Sequence, residues 1–336
     1  MIPLARSLVL SLSVFLLPVI LPLGALAQPA AGPDSPKWAL AIHGGAGTIP
    51  KNLPEAQKQQ YLKSMTRALE IGRDVLTGGG TSLDAVEKVV RFLEDDPLFN
   101  AGKGAVYTHE GTHELDAAIM DGRDLSCGSV AGLKTVRHPI SLARLVKERS
   151  PHVFMVGEGA EAFATEMKVE RVRNDWFDTP VRYQQLQEAL QEERKAKQGK
   201  KDKDTVGAVA LDTHGNLAAA TSTGGLTNKR FGRLGDVPVI GAGTYANNRT
   251  AALSATGIGE EFIKHTVAHD ISALVEYGGL TLQQAADRVI HQKLKPGDGG
   301  VIGVGRDGSI VLVFNSEGMY RGAVDSGGRF EVRIWE

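Results

Sequence analysis

The sequence predicts an α+β layered domain. Short apolar strands stand at both ends of the chain beyond its leader, and paired amphipathic helices lie inside each half. No regular strand–helix–strand alternation links them, and no internal repeat period is evident. Net charge is −1 over 336 residues, which gives no electrostatic case for binding nucleic acid or an anionic membrane. Cys127 is the only cysteine, so no internal disulfide is possible. In Ser126-Cys127-Gly128-Ser129 it is expected to be a small buried residue and not a catalytic thiol.

Residues 1–27 have the form of a secretory signal. Arg6 supplies the positive charge, Leu8–Leu23 the apolar run, and Ala25-Leu26-Ala27 a small-residue cleavage site. Pro18 and Pro22 argue against the alternative, a membrane anchor. Export to a periplasm, with no membrane attachment after removal, is the expectation. Gln28–Lys37, rich in Pro, Ala and Gly, is expected to be a frayed leader.

Trp38–Ile42 reads as a short buried strand running into His43-Gly44-Gly45-Ala46-Gly47. That loop lacks both phosphate-binding glycine spacings. Its glycines suit tight backbone packing, with His43 hydrogen-bonded inside the site. Helical periodicity follows over Glu55–Leu76 (Leu62, Met65, Leu69, Val75, Leu76), closed by Gly78-Gly79-Gly80. Thr81 or Ser82 caps a second helix burying Ala85, Val86, Val89, Val90 and Leu93, stopped at Asp95-Asp96-Pro97. Strand and turn are expected over Met120–Leu133, and helix over Ser141–Lys147 and Gly157–Met167. His109 and His113 straddle Gly111 in an apparent hairpin, and Thr266 stands where a zinc peptidase helix would carry Glu between His265 and His269. Neither pair predicts zinc.

Tyr183–Asp204 begins as a frayed helix and turns into a run of Glu, Lys, Arg and Gln that is unable to bury a core. It ends abruptly at Thr205. In Val206–Leu211, Val206, Ala208 and Ala210 face one way and Gly207, Val209 and Leu211 the other. Both sets are apolar or small, so the strand is expected to be covered on both faces. A turn at Thr213–Asn216 and a return strand from Leu217 lead to Thr221-Ser222-Thr223-Gly224-Gly225.

Thr favours strands, which is reason enough for a Thr here. The alternative is that the Asp204–Thr205 bond is cut. Thr205 would then own a free α-amine, of pKa roughly 7.7–8.0, able to take the proton of its own hydroxyl. Further on, Arg233 and Asp236 stand three apart in a glycine-flanked loop. That spacing suits a surface ion pair of little energetic worth, or a clamp for the carboxylate and ammonium of an amino acid. A strand over Leu253–Thr256 and a long helix from Gly257 through Tyr277 put Thr256 and Gly257 at a helix start, where amides favour developing negative charge. Thr281 caps a last helix over Leu282–Leu294, and a hairpin (Val301–Val304, Ile310–Phe314) is expected to end the chain.

Thr205–Asp212 with Leu217–Gly225 resembles the β-subunit start of the plant-type L-asparaginase and isoaspartyl aminopeptidase family, threonine-type N-terminal-nucleophile (Ntn) hydrolases. The resemblance extends through His43–Gly47, Leu98–Gly102, His113–Ala117, Gly232–Asp236, Gly241–Asn248 and Thr256–Glu260, nearly the whole mature chain. It implies a four-layer αββα sandwich, formed as one domain from an α-subunit (28–204) and a β-subunit (205–336), with autocleavage between Asp204 and Thr205. It implies Thr205 as nucleophile, Thr223 as its hydrogen-bond partner, Thr256 and Gly257 as oxyanion donors, and Asn100 lining the site. Arg233, Asp236 and Gly259 would bind substrate. A structural sodium ion would sit on the main-chain carbonyls of Leu93, Glu94, Asp96, Phe99, Ala101 and Lys103, a donor set suited to a hard cation. No organic cofactor is implied. Substrates would be β-aspartyl dipeptides and L-asparagine, and the assembly a dimer of αβ units. Two alternatives remain at this point: a glycosylasparaginase-like hydrolase, and an uncut protein that binds amino acids without catalysis.

Overall fold

The computed structural model describes residues 37–195 and 205–336. The expected signal segment, all but the last residue of the leader, and most of the charged linker including Asp204 lie outside the described residues. In chain order the first half carries β1 (Ala39–Gly47), α1 (Glu55–Thr77), α2 (Ser82–Asp95), β2 (Leu115–Asp121), β3 (Cys127–Leu133), α3 (Pro139–Arg149), β4 (Phe154–Val156), α4 (Gly157–Glu166) and α5 (Pro180–Arg194). The second half carries β5 (Val206–Leu211), β6 (Leu217–Thr223), β7 (Thr244–Ala246), β8 (Ala251–Gly257), α6 (Gly259–His265), α7 (Val267–Glu276) and α8 (Leu282–Arg288). It closes with β9 (Gly299–Gly305), β10 (Ile310–Phe314), β11 (Gly318–Asp325) and β12 (Phe330–Arg333).

Two sheets result. One has the order β12-β11-β1-β5-β6-β2-β3-β4, and the other β10-β9-β8-β7. All pairings are antiparallel except β3 with β4, which α3 connects. Strands of both halves therefore interleave: β5 lies between β1 and β6, and β6 pairs with β2.

The period of two decides where everything sits. Val206, Ala208 and Ala210 face α1 and α2 in one apolar cluster with Leu40, Ile42, Leu69, Val86 and Val89. Val209 and Leu211 face the second sheet, in a cluster with Ala39, Ala41, Ala252, Ile302 and Val304. The expectation that this strand is covered on both faces matches these two clusters. A third cluster joins Leu253, Ala255 and Val301 to Ile271, Ala285 and Val289 of the helices that follow β8. The same alternation turns His43, Thr205, Thr221 and Thr223 from the large sheet, and Ser254 and Thr256 from the small one, toward the layer between the sheets.

Local chemistry sets the elements. The Thr81 side chain accepts the Asp84 amide at the start of α2, and Thr281 forms a reciprocal capping box with Gln284 at α8. In the β5–β6 turn, Asp212 Oδ1 accepts the amides of His214 (2.9 Å) and Asn216 (3.0 Å), while Oδ2 accepts that of Ser82 (2.9 Å). One carboxylate thus closes the hairpin and ties it to α2.

Three expectations are corrected. The helix expected from Gly257 through Tyr277 is broken at Thr266, which adopts a left-handed conformation (φ 49°) between α6 and α7. His265 and His269 therefore lie on different helices, and among the described residues no group of three or more His, Cys, Asp or Glu is placed to hold a metal. The chain does not end with the β9–β10 hairpin; β11 and β12 return it to the large sheet beside β1. Cys127 is half-buried, not fully buried, and burial pushes its thiol pKa up, away from reactivity. No helix among the described residues is long and apolar enough to cross a membrane.

Candidate active site

Thr205 immediately precedes β5 and is buried. Its hydroxyl donates to Thr223 Oγ1 at 3.3 Å, a long bond of the kind that tightens when a site is occupied. Thr223, the last residue of β6, also accepts the Gly225 amide at 3.0 Å. Both threonines line a small cleft with Gly225, Leu226, Arg233, Gly235, Asp236, Val237 and Gly257. Thr205 and Thr223 thus share one cleft with Arg233 and Asp236.

Thr256 and Gly257 come from the end of β8, not from a helix start. The helix begins only at Gly259. Thr256 Oγ1 accepts the Ala46 amide at 3.2 Å, bridging the two sheets. Gly257 has φ 153°, and a Cβ there would lie 2.1 Å from the Asp298 carbonyl oxygen, so only glycine keeps this strand end in place.

Asn100 is fully buried and is not among the residues lining the cleft. Its Nδ2 donates to the Gly225 carbonyl at 2.7 Å, its Oδ1 accepts the Val106 amide at 2.9 Å, and its own carbonyl accepts the Gly224 amide at 3.2 Å. It shapes the Gly224–Gly225 wall from behind.

The clamp differs from a simple Arg–Asp pair. Arg233 makes a two-point ion pair with Glu260, Nε to Oε1 at 2.9 Å and Nη2 to Oε2 at 2.8 Å. Asp236 is fully buried beside it, and its Oδ2 has no hydrogen-bond partner among the described residues. A Cβ on Gly259 would lie 2.9 Å from Arg233 Nη2 and from Asp236 Oδ1. Glycine is what lets both charged groups close over the start of α6.

Three contributors were missed in the sequence, and a fourth, His43, was placed in the site without its partner. Glu260 stood in a quoted motif without a role. Asp116, cross-strand partner of Thr223, is fully buried on the same face; its Oδ1 accepts the Gly132 amide at 2.9 Å and its Oδ2 is unpartnered among the described residues. Lys229, also buried, donates to the Glu114 carbonyl at 3.1 Å. His43 was expected only to bond somewhere within the site; its Nδ1 meets the Thr205 carbonyl at 2.9 Å. All four depend on tertiary contacts across distant segments.

A family model described as asparaginase matches residues 36–334. The chain belongs to the asparaginase family. It is 53% identical over 295 residues to the isoaspartyl peptidase of Salmonella typhimurium, covering 85% of this chain and 94% of the relative. It is 44% identical to a probable isoaspartyl peptidase/L-asparaginase 2 of Arabidopsis thaliana (89% and 99% covered). To the human isoaspartyl peptidase/L-asparaginase it is 42% identical (86% and 93%). The chain is accordingly a hydrolase.

In this asparaginase-family hydrolase, the loop expected to hold sodium is wound closely on its own carbonyls. A Cβ on Gly102 would lie 2.2 Å from the Glu94 carbonyl oxygen, and one on Gly104 2.0 Å from that of Phe99. The carbonyls of Asp96, Phe99 and Ala101 each accept one backbone amide at 3.3, 3.0 and 3.1 Å, which leaves each a second lone pair. Beneath the loop, burial pushes the Glu94 carboxyl up to about 8; its Oε1 accepts the Ser222 hydroxyl (2.7 Å) and the Ile140 amide (3.0 Å).

Burial also raises the Asp236 carboxyl from its ordinary 3.8 to about 7, against the opposing pull of Arg233. The folded state therefore holds this proton more tightly than the unfolded chain. Stability falls as pH climbs from about 4 through about 7, where the buried group must ionise. Asp236→Asn should remove that component: between pH 5 and pH 8 the wild-type thermal midpoint should drop relative to the variant. Parallel curves would contradict the assignment.

Proposed function

We propose that this protein hydrolyses β-aspartyl (isoaspartyl) dipeptides and L-asparagine with Thr205 as nucleophile, after cutting its own Asp204–Thr205 bond. The observation that carries it is the buried Thr205 hydroxyl, hydrogen-bonded to Thr223 at the mouth of a cleft that also holds Arg233 and Asp236. The names of the relatives, isoaspartyl peptidase and L-asparaginase, favour this over a glycosylasparaginase or a non-catalytic binding protein.

In maturation, Thr205 Oγ attacks the Asp204 carbonyl carbon. The Asp204–Thr205 C–N bond breaks as an ester forms, which frees the Thr205 amine. Water then hydrolyses the ester, leaving an α-chain carboxylate and a β-chain that begins at Thr205. In turnover, the Thr205 amine takes the hydroxyl proton and Oγ attacks the side-chain carbonyl carbon of substrate. The Thr256 hydroxyl and the Gly257 amide face the resulting oxyanion, each such donor typically worth about 3–4 kcal/mol. The C–N bond then breaks, and the amine returns its proton to the leaving nitrogen. Ammonia or an amino acid departs, and water releases aspartate from Thr205.

Recognition of the zwitterion follows from charge. Glu260 occupies the Nε–Nη2 side of Arg233, so the Nη1–Nη2 edge is the one that meets the substrate carboxylate. The unpartnered Asp236 oxygen takes the α-ammonium, which in turn favours ionised Asp236. A substrate lacking the α-ammonium leaves the buried Asp236 oxygen unpaired and is rejected strongly.

The same proposal includes an Ntn-type four-layer αββα sandwich built as one domain from both subunits, export with removal of residues 1–27, and a dimer of αβ units. It also includes a sodium ion on the Leu93–Lys103 carbonyls that stiffens the loop carrying Asn100. Thr205→Ala should abolish ammonia release from asparagine and cleavage of β-aspartyl dipeptides while leaving the thermal midpoint nearly unchanged; residual turnover would rule out this nucleophile. Replacing sodium by choline chloride at equal ionic strength should lower the thermal midpoint of the wild type. An identical midpoint in both salts would remove the ion from the account.

A further inference from the structure

The β1–β5 ladder ends at the pair His43–Gly207. At the same place the pairing of β1 with β11 shifts register between His43 and Gly45, and Thr205 is left past the last position of the β1–β5 ladder. Its carbonyl is taken instead by a side chain, the Nδ1 of His43 at 2.9 Å. A carbonyl oxygen only accepts, so Nδ1 carries the proton and Nε2 is an acceptor. That assignment propagates. Ser254 lies 2.8 Å from Nε2 and must donate to it. Ser254 Oγ, 2.8 Å from Thr221 Oγ1, must then accept from Thr221. Thr221 in turn accepts from Thr244 at 2.7 Å. The relay crosses between the sheets at every step, from β7 to β6 to β8 to β1, inside a layer that also holds an apolar cluster.

Two further observations fit. His43 is fully buried, and burial drives its imidazole down to about 3, so the ring is neutral and each nitrogen keeps one role. A Cβ on Gly207 would lie 2.1 Å from Ser254 Oγ and 2.4 Å from His43 Nε2, so glycine opens the gap in which that bond forms.

We propose that His43 is a positioning residue: its Nδ1–H clamps the Thr205 carbonyl while Ser254 holds the far side of the ring, and so it aims the Thr205 amine and hydroxyl at the cleft. This rests on Thr205 being the nucleophile. It assigns to the first strand a task at a residue 162 positions away. The substrate clamp is a separate set of groups, so losing His43 affects the chemical step and not binding.

The two amide replacements separate this role from mere packing. Asn carries its amide nitrogen where the ring carries Nδ1, and keeps a donor to the Thr205 carbonyl. Gln carries it where the ring carries Nε2, and loses that donor. His43→Asn should hold kcat within about tenfold of wild type and His43→Gln should lower it about 100-fold, both with KM nearly unchanged, as expected of a small misplacement of the reacting atoms. A folded but uncut Gln variant counts as the same loss, because Thr205 Oγ is the nucleophile in both reactions. Equal kcat in the two variants, or a change confined to KM, would overturn the proposal. Should His43→Gln fail to fold, Ser254→Ala decides. It frees the far side of the ring to shift and should lower kcat about tenfold at constant KM, and wild-type kcat there would overturn the role. Wild type is assayed alongside: an inactive wild type defeats the hydrolase proposal itself, whereas an active wild type with unaffected variants defeats only the part played by His43.

Discussion

The site depends on where the β1–β5 ladder stops. A strand residue inside a ladder spends its amide and carbonyl on its neighbours. A nucleophile whose own amine must act as base is better placed outside that exchange. The pair His43–Gly207 is the last of the ladder, and Thr205 lies just beyond it on the face turned to the second sheet. The period of two then lines up Thr221 and Thr223 from β6 and sets Ser254 and Thr256 opposite them on β8. A shift of one residue would send Thr221 and Thr223 into the apolar cluster under α1 and α2, and Ser254 and Thr256 into the one under the helices that follow β8.

Electrostatics divide the cleft into two kinds of wall. Around Thr205 the lining groups are neutral, threonine side chains and glycine backbone, with the imidazole that burial keeps uncharged behind them. Around Arg233 they are charged and partly unsatisfied. Glu260 braces one side of the guanidinium, while Asp236 sits buried with a free oxygen and a strongly raised pKa. A lone buried carboxylate is costly in the empty site. A bound ammonium would offset that cost, so stability is given up locally for selectivity.

Much of the architecture was legible in residue pattern. The two apolar faces of Val206–Leu211 required cover on both sides, and the two clusters supply it. Capping threonines and glycine stops marked α1, α2 and α8. Where pattern failed, a tertiary cause is visible or the local signal is diluted. Thr266 takes a left-handed conformation that its side chain does not advertise, and it splits the expected helix. Gly, Tyr and Arg interrupt the alternation of Gly318–Asp325, which obscured β11. Thr256 and Gly257 belong to a strand end because Gly257 packs against Asp298, which no local signal reveals. Glu260 and Asp116 likewise gain meaning only from partners in other elements. The motif residues identified the chemistry, but not which of them touch: Asn100 shapes the wall from behind, and Arg233 is already paired.

The proposed chemistry requires Thr205 to become a chain terminus by its own action. Intact mass under denaturing conditions, on purified protein aged without added protease, tests it most directly. The account predicts two polypeptides, one spanning residues 205–336 with threonine at its N-terminus, and no cut in Thr205→Ala held in parallel. A wild type that stays a single uncut chain while hydrolysing asparagine would contradict it, because catalysis would then have to proceed without the free amine.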